Sequence, residues 1–417
     1  MISKQSIVTI IAIIGAIYLF ISLNPFVLWI IWPGFINFPL FIGVIIIGLL
    51  AIYLKWYSLT INKILFIIPI TFFMLHLGTT FLGGPEFNIG KIMSFTSLII
   101  ILGFQSFLHL KIFELFRKGM LFLSWFAVII FIITLVGIEL PYYYIPGDTL
   151  VMQNSFGGQS FYKLYGLVVS STNTVYNLGG FNVARICGPF QEPGHFAIYI
   201  GLILLFEKMT YNRLSKGFII AGVLTFSPNF FLILFIIFFY DFLYSQNRRN
   251  IVKYVFIGSF FVFFLLLFSE DIRDQIYDLV IGRNIDETGI DIEKILDDRA
   301  GKQTLAYYHS FVQTNYFLYG KGVDFMSQYG ILSDYRGMIL KYGLLGFIFS
   351  IFACVRVLFF SKDLRVISLI AIVILIIYLQ RAWMFESTFV YLFIIIGLSA
   401  SKLYKNQIKS ETDEDKS

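Results

Sequence analysis

The sequence has few charged residues and long stretches with none. Only 13% of its 417 residues are charged, whereas 58% are hydrophobic and the mean hydropathy is +0.82. This composition excludes an ordinary soluble domain, because the apolar residues fall in repeated runs near the length that crosses a hydrocarbon core of about 30 Å. The net charge of +6 does not indicate a nucleic-acid partner, since the basic residues are scattered in small groups beside those runs.

Cysteine is also scarce, and the motifs of nucleotide and metal chemistry are missing. Cys187 and Cys354 are far apart in the sequence, which excludes a disulfide framework or a CxxC metal site. There is no Walker loop, no GxGxxG in a strand–helix setting, no HExxH and no cluster of Cys and His. We therefore expect no cofactor and no metal. The few charges within the apolar runs argue against an ion-coupled transporter.

The apolar runs predict an all-α integral membrane protein that forms a single domain over residues 1–417. One longer run, 217–244, has basic residues at both ends and "TFSPNF" in its middle, which predicts a hairpin of two short helices broken at Pro228. With that hairpin counted as two, we expect about twelve helices. The other predicted spans are 6–23, 38–54, 64–80, 92–110, 120–138, 195–207, 252–269, 338–358, 366–380 and 387–402.

The distribution of lysine and arginine predicts which side each connection occupies. Small basic groups, such as Lys111, Arg117 and Lys118, are typical of cytoplasmic links, and their positions place both termini in the cytoplasm. The first run has no cleavage site and is expected to remain as a span, and the acidic end "ETDEDKS" is expected to be a solvated tail. Two long connections, 139–193 and 270–336, fall on the outer face, where we expect the function to reside.

The stretch "RICGPFQEPGHFA" places Arg185, Glu192 and His195 at the start of a predicted span. Pro193 and Gly194 open a helix whose free N–H groups and positive dipole end favour an anion. Glu192 is then either a helix cap or an acid–base group, and the sequence does not fix its protonation state. Arg185 either reaches lipid headgroups or binds the anion, and His195 is either an interfacial residue or a second base.

Two further arginines are candidate anion ligands. Arg299 follows an acidic run in the second outer connection, where it either faces Arg185 across a site or pairs with a neighbouring aspartate. Arg381 lies with Glu386 in "LQRAWMFES" between the last two spans. That pair is either part of the site or an interfacial anchor.

The segment "LAYYHSFVQTNYF" of the second outer connection supplies candidate sugar ligands in Tyr308, His309 and Tyr316. Flat rings with polar tips suit sugars, which present apolar C–H faces and many hydroxyl groups. Tyrosines near membrane ends form an interfacial belt more often than a ligand platform, so both interpretations stay open.

The block from Arg185 to Gly194 has the pattern R-x-x-G-x-F-x-E-P-G and resembles the signature of bacterial Wzy-type polymerases of O-antigen and capsular polysaccharide. The "TFSPNF" hairpin, the outer loop ending in "YGKGVD" and the following "SDYRGMILKYG" are similar in outline to the polymerase and ligase superfamily. The resemblance covers essentially the whole chain, and this block is its specific part. It implies a GT-C-like bundle in the bacterial cytoplasmic membrane with its active site on the outer face.

The resemblance implies transfer of a growing glycan, as a block, from undecaprenyl diphosphate to the non-reducing-end sugar of another lipid-linked repeat unit. No metal or nucleotide sugar takes part. The implied roles are a base in Glu192, with His195 in reserve, diphosphate ligands in Arg185, Arg299 and Arg381, sugar ligands in Tyr308, His309 and Tyr316, and the motif backbone in Gly188, Pro193 and Gly194.

The implied partners are the lipid-linked donor and acceptor, the bilayer, a chain-length regulator and a flippase, with no nucleic acid. An O-antigen-type ligase, which moves the glycan to a different acceptor, is the alternative within the same superfamily. The ligase branch carries a histidine near the end of the large outer loop, and "LSDYRGMIL" has none there, which favours a polymerase. A flippase or other transporter of lipid-linked oligosaccharides is the alternative from another class.

Overall fold

The chain is mostly helical in a computed structural model, with short strands in the two long connections. The structure describes residues 3–26, 28, 37–57, 89–146, 161–171, 175–178, 181–244, 285–286, 289–290, 302–321, 334–358, 363–386 and 388–414. The predicted spans 64–80 and 252–269 therefore lie outside the described residues.

The described helices follow most of the predicted apolar runs. They are α1 (Lys4–Ser22), α2 (Asn37–Tyr53), α3 (Ile89–Leu102), α4 (Ser106–Leu135), α5 (Pro193–Tyr211), α6 (Lys216–Val223), α7 (Pro228–Tyr244), α8 (Lys302–Val312), α9 (Tyr316–Tyr319), α10 (Tyr335–Leu358), α11 (Leu364–Arg381) and α12 (Thr388–Glu414), with a 3-10 helix at Ala382–Glu386. The strands are β1 (Tyr143–Pro146), β2 (Phe161–Tyr165), β3 (Val168–Ser171), β4 (Val175–Leu178), β5 (Phe181–Ala184), β6 (Ile285–Asp286) and β7 (Gly289–Ile290).

Three of these helices are long and apolar enough to cross a membrane, namely α1, α4 and the segment Tyr335–Val355 of α10. Parts of α2, α3, α7 and α11 are shorter apolar helices. Large apolar side chains point outward from several of them, for example Leu49 on α2 and Phe122 on α4. Lipid would cover a surface of this kind, so the helices agree with the predicted helical membrane protein.

Helix α5 lies at the centre of the bundle, and nearly all of its residues are buried. It packs against α7 and α12, while α12 also packs against α4 and α4 against α1. Gly397 of α12 lies against the Phe206 ring of α5, where a Cβ would overlap the ring. The centre of the bundle therefore fixes α5, and with it the residues at both of its ends.

Some helix boundaries differ from the prediction. The predicted span 92–110 is divided, because α3 ends at Leu102 and α4 begins at Ser106. Helix α4 also includes the basic link that the sequence predicts as a loop. The link continues as helix since Arg117 has a partner within the bundle, the Glu207 carboxylate at 2.6 Å. Helix α12 continues to Glu414 and so includes the first residues of the predicted solvated tail.

The predicted hairpin over 217–244 is confirmed, although its two helices are unequal, with eight residues in α6 and 17 in α7. Pro228 is the first residue of α7, a position where its missing N–H costs no helical hydrogen bond. In the turn, the Thr225 hydroxyl donates to the Gly222 carbonyl at 2.6 Å. Polar side chains thus stabilise a break that lies within apolar surroundings.

The all-α prediction is wrong for the first outer connection, which contains antiparallel strands. Strand β2 pairs with both β1 and β3, and β4 pairs with β5. The two-residue turn between Tyr165 and Val168 contains Gly166 at φ +63°, a conformation that glycine adopts without strain. Ile145 and Leu164 share one face and are buried, so the alternation of buried residues stabilises the sheet.

Helices α8 and α9, which lie in the connection 270–336, pack against α10. Helix α10 is broken at Gly343 (φ +71°), and the turn that follows α9 lies against this break. A Cβ on Gly343 would overlap the α9 backbone, and Gly320 contacts the same place from the other side. The Lys321 N–H donates to the Leu340 carbonyl at 2.8 Å, which satisfies a carbonyl left open by the break.

Candidate functional site

The block from Arg185 to Gly194 forms a tight turn between β5 and α5. The Phe190 N–H donates to the Cys187 carbonyl at 3.1 Å, and Gly188 adopts φ +58°. A Cβ on Gly188 would meet the Phe196 ring at 2.8 Å, so both the backbone conformation and the space require glycine. Gly188 therefore shapes the turn and seats it on the first turns of α5.

Three other segments hold this turn in place. The hydrogen bonds run from the Phe26 N–H to the Pro189 carbonyl at 2.8 Å, from the Val169 N–H to the Gly188 carbonyl at 2.8 Å, and from Gln191 Nε2 to the Tyr162 hydroxyl at 3.0 Å. The chain after α1 and the outer sheet thus support the turn directly. This explains how a stretch without regular secondary structure can hold charged side chains at a defined place.

Glu192 is the residue that precedes α5, but its side chain does not cap the helix. Instead, its Oε2 accepts a hydrogen bond from Arg381 Nη2 at 2.8 Å. Its Oε1 accepts no hydrogen bond from any residue that the structure describes, and 31% of the side chain is exposed. The interpretation of Glu192 as a side-chain cap is therefore wrong, and one carboxylate oxygen is open to a ligand.

Arg381 is the last residue of α11, where a cation is favoured by the helix dipole. Its Nη2 binds Glu192, and its Nη1 binds His195 Nε2 at 2.8 Å, so one guanidinium joins two residues of the motif. Gly194 makes room for this contact, because a Cβ there would lie 2.8 Å from Nη2. The buried Arg381 Nε has no partner in the described part of the chain.

His195 lies on the first turn of α5 beside the carboxylate, with Nε2 at 3.5 Å from Glu192 Oε2. An arginine can only donate, so the hydrogen bond from Arg381 makes His195 Nε2 the acceptor. The ring proton is thereby assigned to Nδ1, and the imidazole is neutral. The lone pair that would take up a proton is occupied by Arg381.

The charged groups around Glu192 determine its protonation state. Burial raises the pKa of Glu192, but the charge and hydrogen bond of Arg381, together with His195 and Arg185, outweigh burial, and the pKa falls to about 2. Glu192 is therefore a carboxylate at neutral pH. This answers the question that the sequence left open.

Arg185 holds the hairpin between α6 and α7. Its Nε donates to the Thr225 carbonyl at 2.7 Å and its Nη2 to the Phe226 carbonyl at 3.2 Å. The interpretation in which Arg185 extends to lipid headgroups is therefore wrong. Its charge lies close enough to lower the pKa of Glu192, so Arg185 and Arg381 supply two positive charges to the same region.

The other candidates lie elsewhere or outside the described residues. Tyr308 lies beside the start of α10, where burial raises its pKa to about 12 and Arg336 partly opposes that effect. His309 is exposed, and the Tyr316 ring lies 4.9 Å from Lys321 Nζ. Within the described chain, these three candidates make no hydrogen bond, ion pair or ring contact with Glu192, His195 and Arg381, which we call the Glu192 cluster. Arg299 lies outside the described residues.

The sequence analysis missed two pairings. It paired Arg381 with Glu386, whose side chain lies outside the described set, and did not connect Arg381 with Glu192. It also missed the buried pair at the start of α10, where Arg336 Nη2 lies 2.7 Å from Asp334 Oδ2. An available signal was "SDYR", a charged pair two residues apart directly before an apolar run.

The fold and the site together define a helical protein with apolar helices suited to a membrane and a charged cluster at one end of its central helix. Among the described residues, no group of three or more His, Cys, Asp or Glu side chains is arranged to hold a metal ion. Comparison of the chain with protein-family models, with curated proteins and with solved structures finds no match.

Proposed function

We propose that this chain is a metal-independent glycosyltransferase of the bacterial cytoplasmic membrane, a polysaccharide polymerase that transfers a growing glycan from undecaprenyl diphosphate to another lipid-linked repeat unit. The observation that carries this proposal is the cluster of Glu192, His195 and Arg381 at the start of α5, with Arg185 beside it. It combines an open carboxylate oxygen with two cations. Transfer from a lipid diphosphate requires both kinds of group.

The chemistry assigns a task to each kind of group. A bond forms between an acceptor hydroxyl oxygen and the anomeric carbon of the donor, while the bond from that carbon to the diphosphate oxygen breaks. The diphosphate leaves with the electron pair, and Arg185 and Arg381 stabilise its charge. Glu192 Oε1 accepts the hydrogen bond of the hydroxyl, and Glu192 and His195 are the groups available to receive its proton.

The placement of the cluster suits substrates that are anchored in lipid. The basic residues Lys208 and Arg117 lie near the opposite end of α5, and an excess of positive charge is typical of the cytoplasmic side. This supports a position of the Glu192 cluster at the outer boundary of the membrane. Both polyprenyl tails stay in the bilayer there while their sugars meet above it.

The test compares Glu192→Gln with the matched control Asp241→Asn. Asp241 binds Lys208 at 2.8 Å with side-chain exposures of 24% and 16%, close to the 2.8 Å, 31% and 17% of Glu192 and Arg381. Each variant is expressed in a strain that lacks the chromosomal copy, its membrane level is measured by immunoblot, and the surface glycan is separated on a gel.

We expect Glu192→Gln to reduce the ladder of repeats to a single unit, with polymerisation lowered at least ~100-fold, and Asp241→Asn to keep the full ladder. An unchanged ladder in Glu192→Gln at normal protein level would refute the proposal. Long chains retained on the lipid carrier would identify a ligase instead, and a loss of repeat units from the outer leaflet would identify a flippase.

A further inference from the structure

We infer that Arg381 couples the binding of the leaving group to the release of His195: a diphosphate that takes the guanidinium frees His195 Nε2 to accept the proton of the acceptor hydroxyl. This inference rests on the proposed transfer from a lipid diphosphate. It makes Arg381 a positioning residue for the base as well as a ligand of the anion.

The hydrogen bonds of the guanidinium show why the resting site is blocked. Nη1 occupies His195 Nε2 and Nη2 occupies Glu192 Oε2, each at 2.8 Å. A proton on Nε2 would lose the first of these bonds and would face a fixed positive charge. His195 can therefore take up a proton only after Arg381 has moved.

In the resting site, with Arg381 bound, Glu192 is a weak base, because its pKa of about 2 lies far below the neutral range in which a general base is most effective. Its carboxylate has a second use, because Oε2 lies 3.5 Å from His195 Nε2. Once Arg381 leaves, Glu192 can stabilise the imidazolium that forms, as a carboxylate does in a catalytic triad.

Arg381 also has a donor to offer an anion. Its buried Nε has no hydrogen-bond partner among the described residues, and its Nη2 lies close to Gly194, where the absence of a side chain makes room for the guanidinium. A diphosphate offers several acceptor oxygens, and charge-assisted bonds to it would replace those to Glu192 and His195. Arg185 provides a second positive charge near the carboxylate.

The proton balance of the step is complete without a further reactant. The acceptor oxygen bonds to the anomeric carbon, the diphosphate leaves with its electron pair, and the hydroxyl proton moves to His195 Nε2. Among the described residues, the charged groups that act on His195 are Arg381 on α11 and Glu192 on its own segment.

The experiment follows the protonation of His195 in the full-length protein in lipid nanodiscs. The four histidines are labelled with ¹³C at Cε1, and the His195 signal is identified by its loss in His195→Gln. Its chemical shift is titrated against pH with and without inorganic pyrophosphate. We expect pyrophosphate to move the midpoint of the His195 titration upward by about one pH unit or more.

Arg381→Gln tests the resting state without any ligand. We expect its His195 midpoint to be high already and not to respond to pyrophosphate, because the donor to Nε2 is gone while Glu192 remains. If Arg381→Gln does not fold, Arg381→Lys replaces it. In Arg381→Lys we expect pyrophosphate to shift the His195 midpoint by less than it does in the wild type. Lys208→Gln, which removes a cation from the opposite end of α5, should titrate and respond as the wild type does.

Equal midpoints with and without pyrophosphate, or a low midpoint in Arg381→Gln, would overturn the inference. The titration does not depend on polymerase activity, so the two proposals can fail separately. A pyrophosphate response combined with a full glycan ladder in Glu192→Gln would refute the proposed function alone. A collapsed ladder without any response would refute only the coupling.

Discussion

Helix α5 has an arginine–glutamate pair at each end, and the two pairs differ in how much of the carboxylate remains open. At the C-terminal end, Glu207 is fully buried and both its oxygens are occupied by Arg117 and by the Ser215 N–H and hydroxyl, at 2.6–2.7 Å. At the N-terminal end, Glu192 binds Arg381 through one oxygen, the other accepts no hydrogen bond from the described residues, and 31% of the side chain is exposed.

This difference shows what distinguishes a structural ion pair from a candidate site. Burying a carboxylate is costly unless it is hydrogen-bonded, and both Glu207 oxygens are hydrogen-bonded by groups of the protein. At the Glu192 end, one oxygen accepts no hydrogen bond from the described residues. Two pairs of the same residue types, on one helix, therefore differ in what they leave for a ligand.

The largest effect on stability is expected at the Glu207 end. Glu207→Gln leaves the Arg117 charge buried without its partner, so the free energy of unfolding should fall by about 3–5 kcal/mol. Thermal unfolding in detergent measures this change. The control is Lys111→Gln, which removes the exposed ion pair between Lys111 and Glu114 on α4, the helix that carries Arg117. It should leave the melting temperature nearly unchanged. Equal melting temperatures for wild type and Glu207→Gln would contradict the comparison.

Gly194→Ala should disturb the Glu192 end of α5 and leave the Glu207 end unchanged. The added Cβ would lie 2.8 Å from Arg381 Nη2, at the far end of a flexible side chain, so the guanidinium should shift while the fold stays intact. We expect polymerisation to fall at least ~10-fold through misplaced groups. Gly119→Ala, where a Cβ would meet nothing within 4 Å, is the matched control. A fully active Gly194→Ala protein would show that the contact is dispensable.

The smallest effect is expected for the pair that matches Glu192 and Arg381 in exposure. Breaking the partly exposed pair between Lys208 and Asp241 with Asp241→Asn should change the free energy of unfolding by less than about 1 kcal/mol. Chemical unfolding of the purified protein measures it. A loss as large as that of Glu207→Gln would mean that exposure does not separate the two kinds of pair.

The sequence was sufficient to predict the structural features that depend on a local pattern of residues. The helix that starts at Pro193 and the break before Pro228 follow from the backbone of proline and from runs of apolar residues. The strands of the first outer connection were missed, although Gly166 and the alternating residues around it are signals of a hairpin. A membrane protein invites a helical interpretation, and short strands outside the apolar runs are then easily overlooked.

The centre of the candidate site could not be predicted in the same way. Glu192 and Arg381 are 189 residues apart, and a pairing over that separation depends on how α5 and α11 pack. Both residues were candidates on the basis of charge and position alone. The link that contains Arg117 was predicted to lie between two spans, whereas it is helical, for a related reason: its partner Glu207 comes from a distant part of the chain.

The break in α10 has a consequence for how the outer part of the chain is attached. In an unbroken helix, the Leu340 carbonyl would accept from a residue four positions later, whereas here it accepts from Lys321 of another segment. The Lys321 N–H thus takes the place of a donor within α10, and this hydrogen bond joins α10 to the residue that follows the α9 turn. Displacement of α8 and α9 away from α10 would break this hydrogen bond, so we expect these two helices to move together with α10.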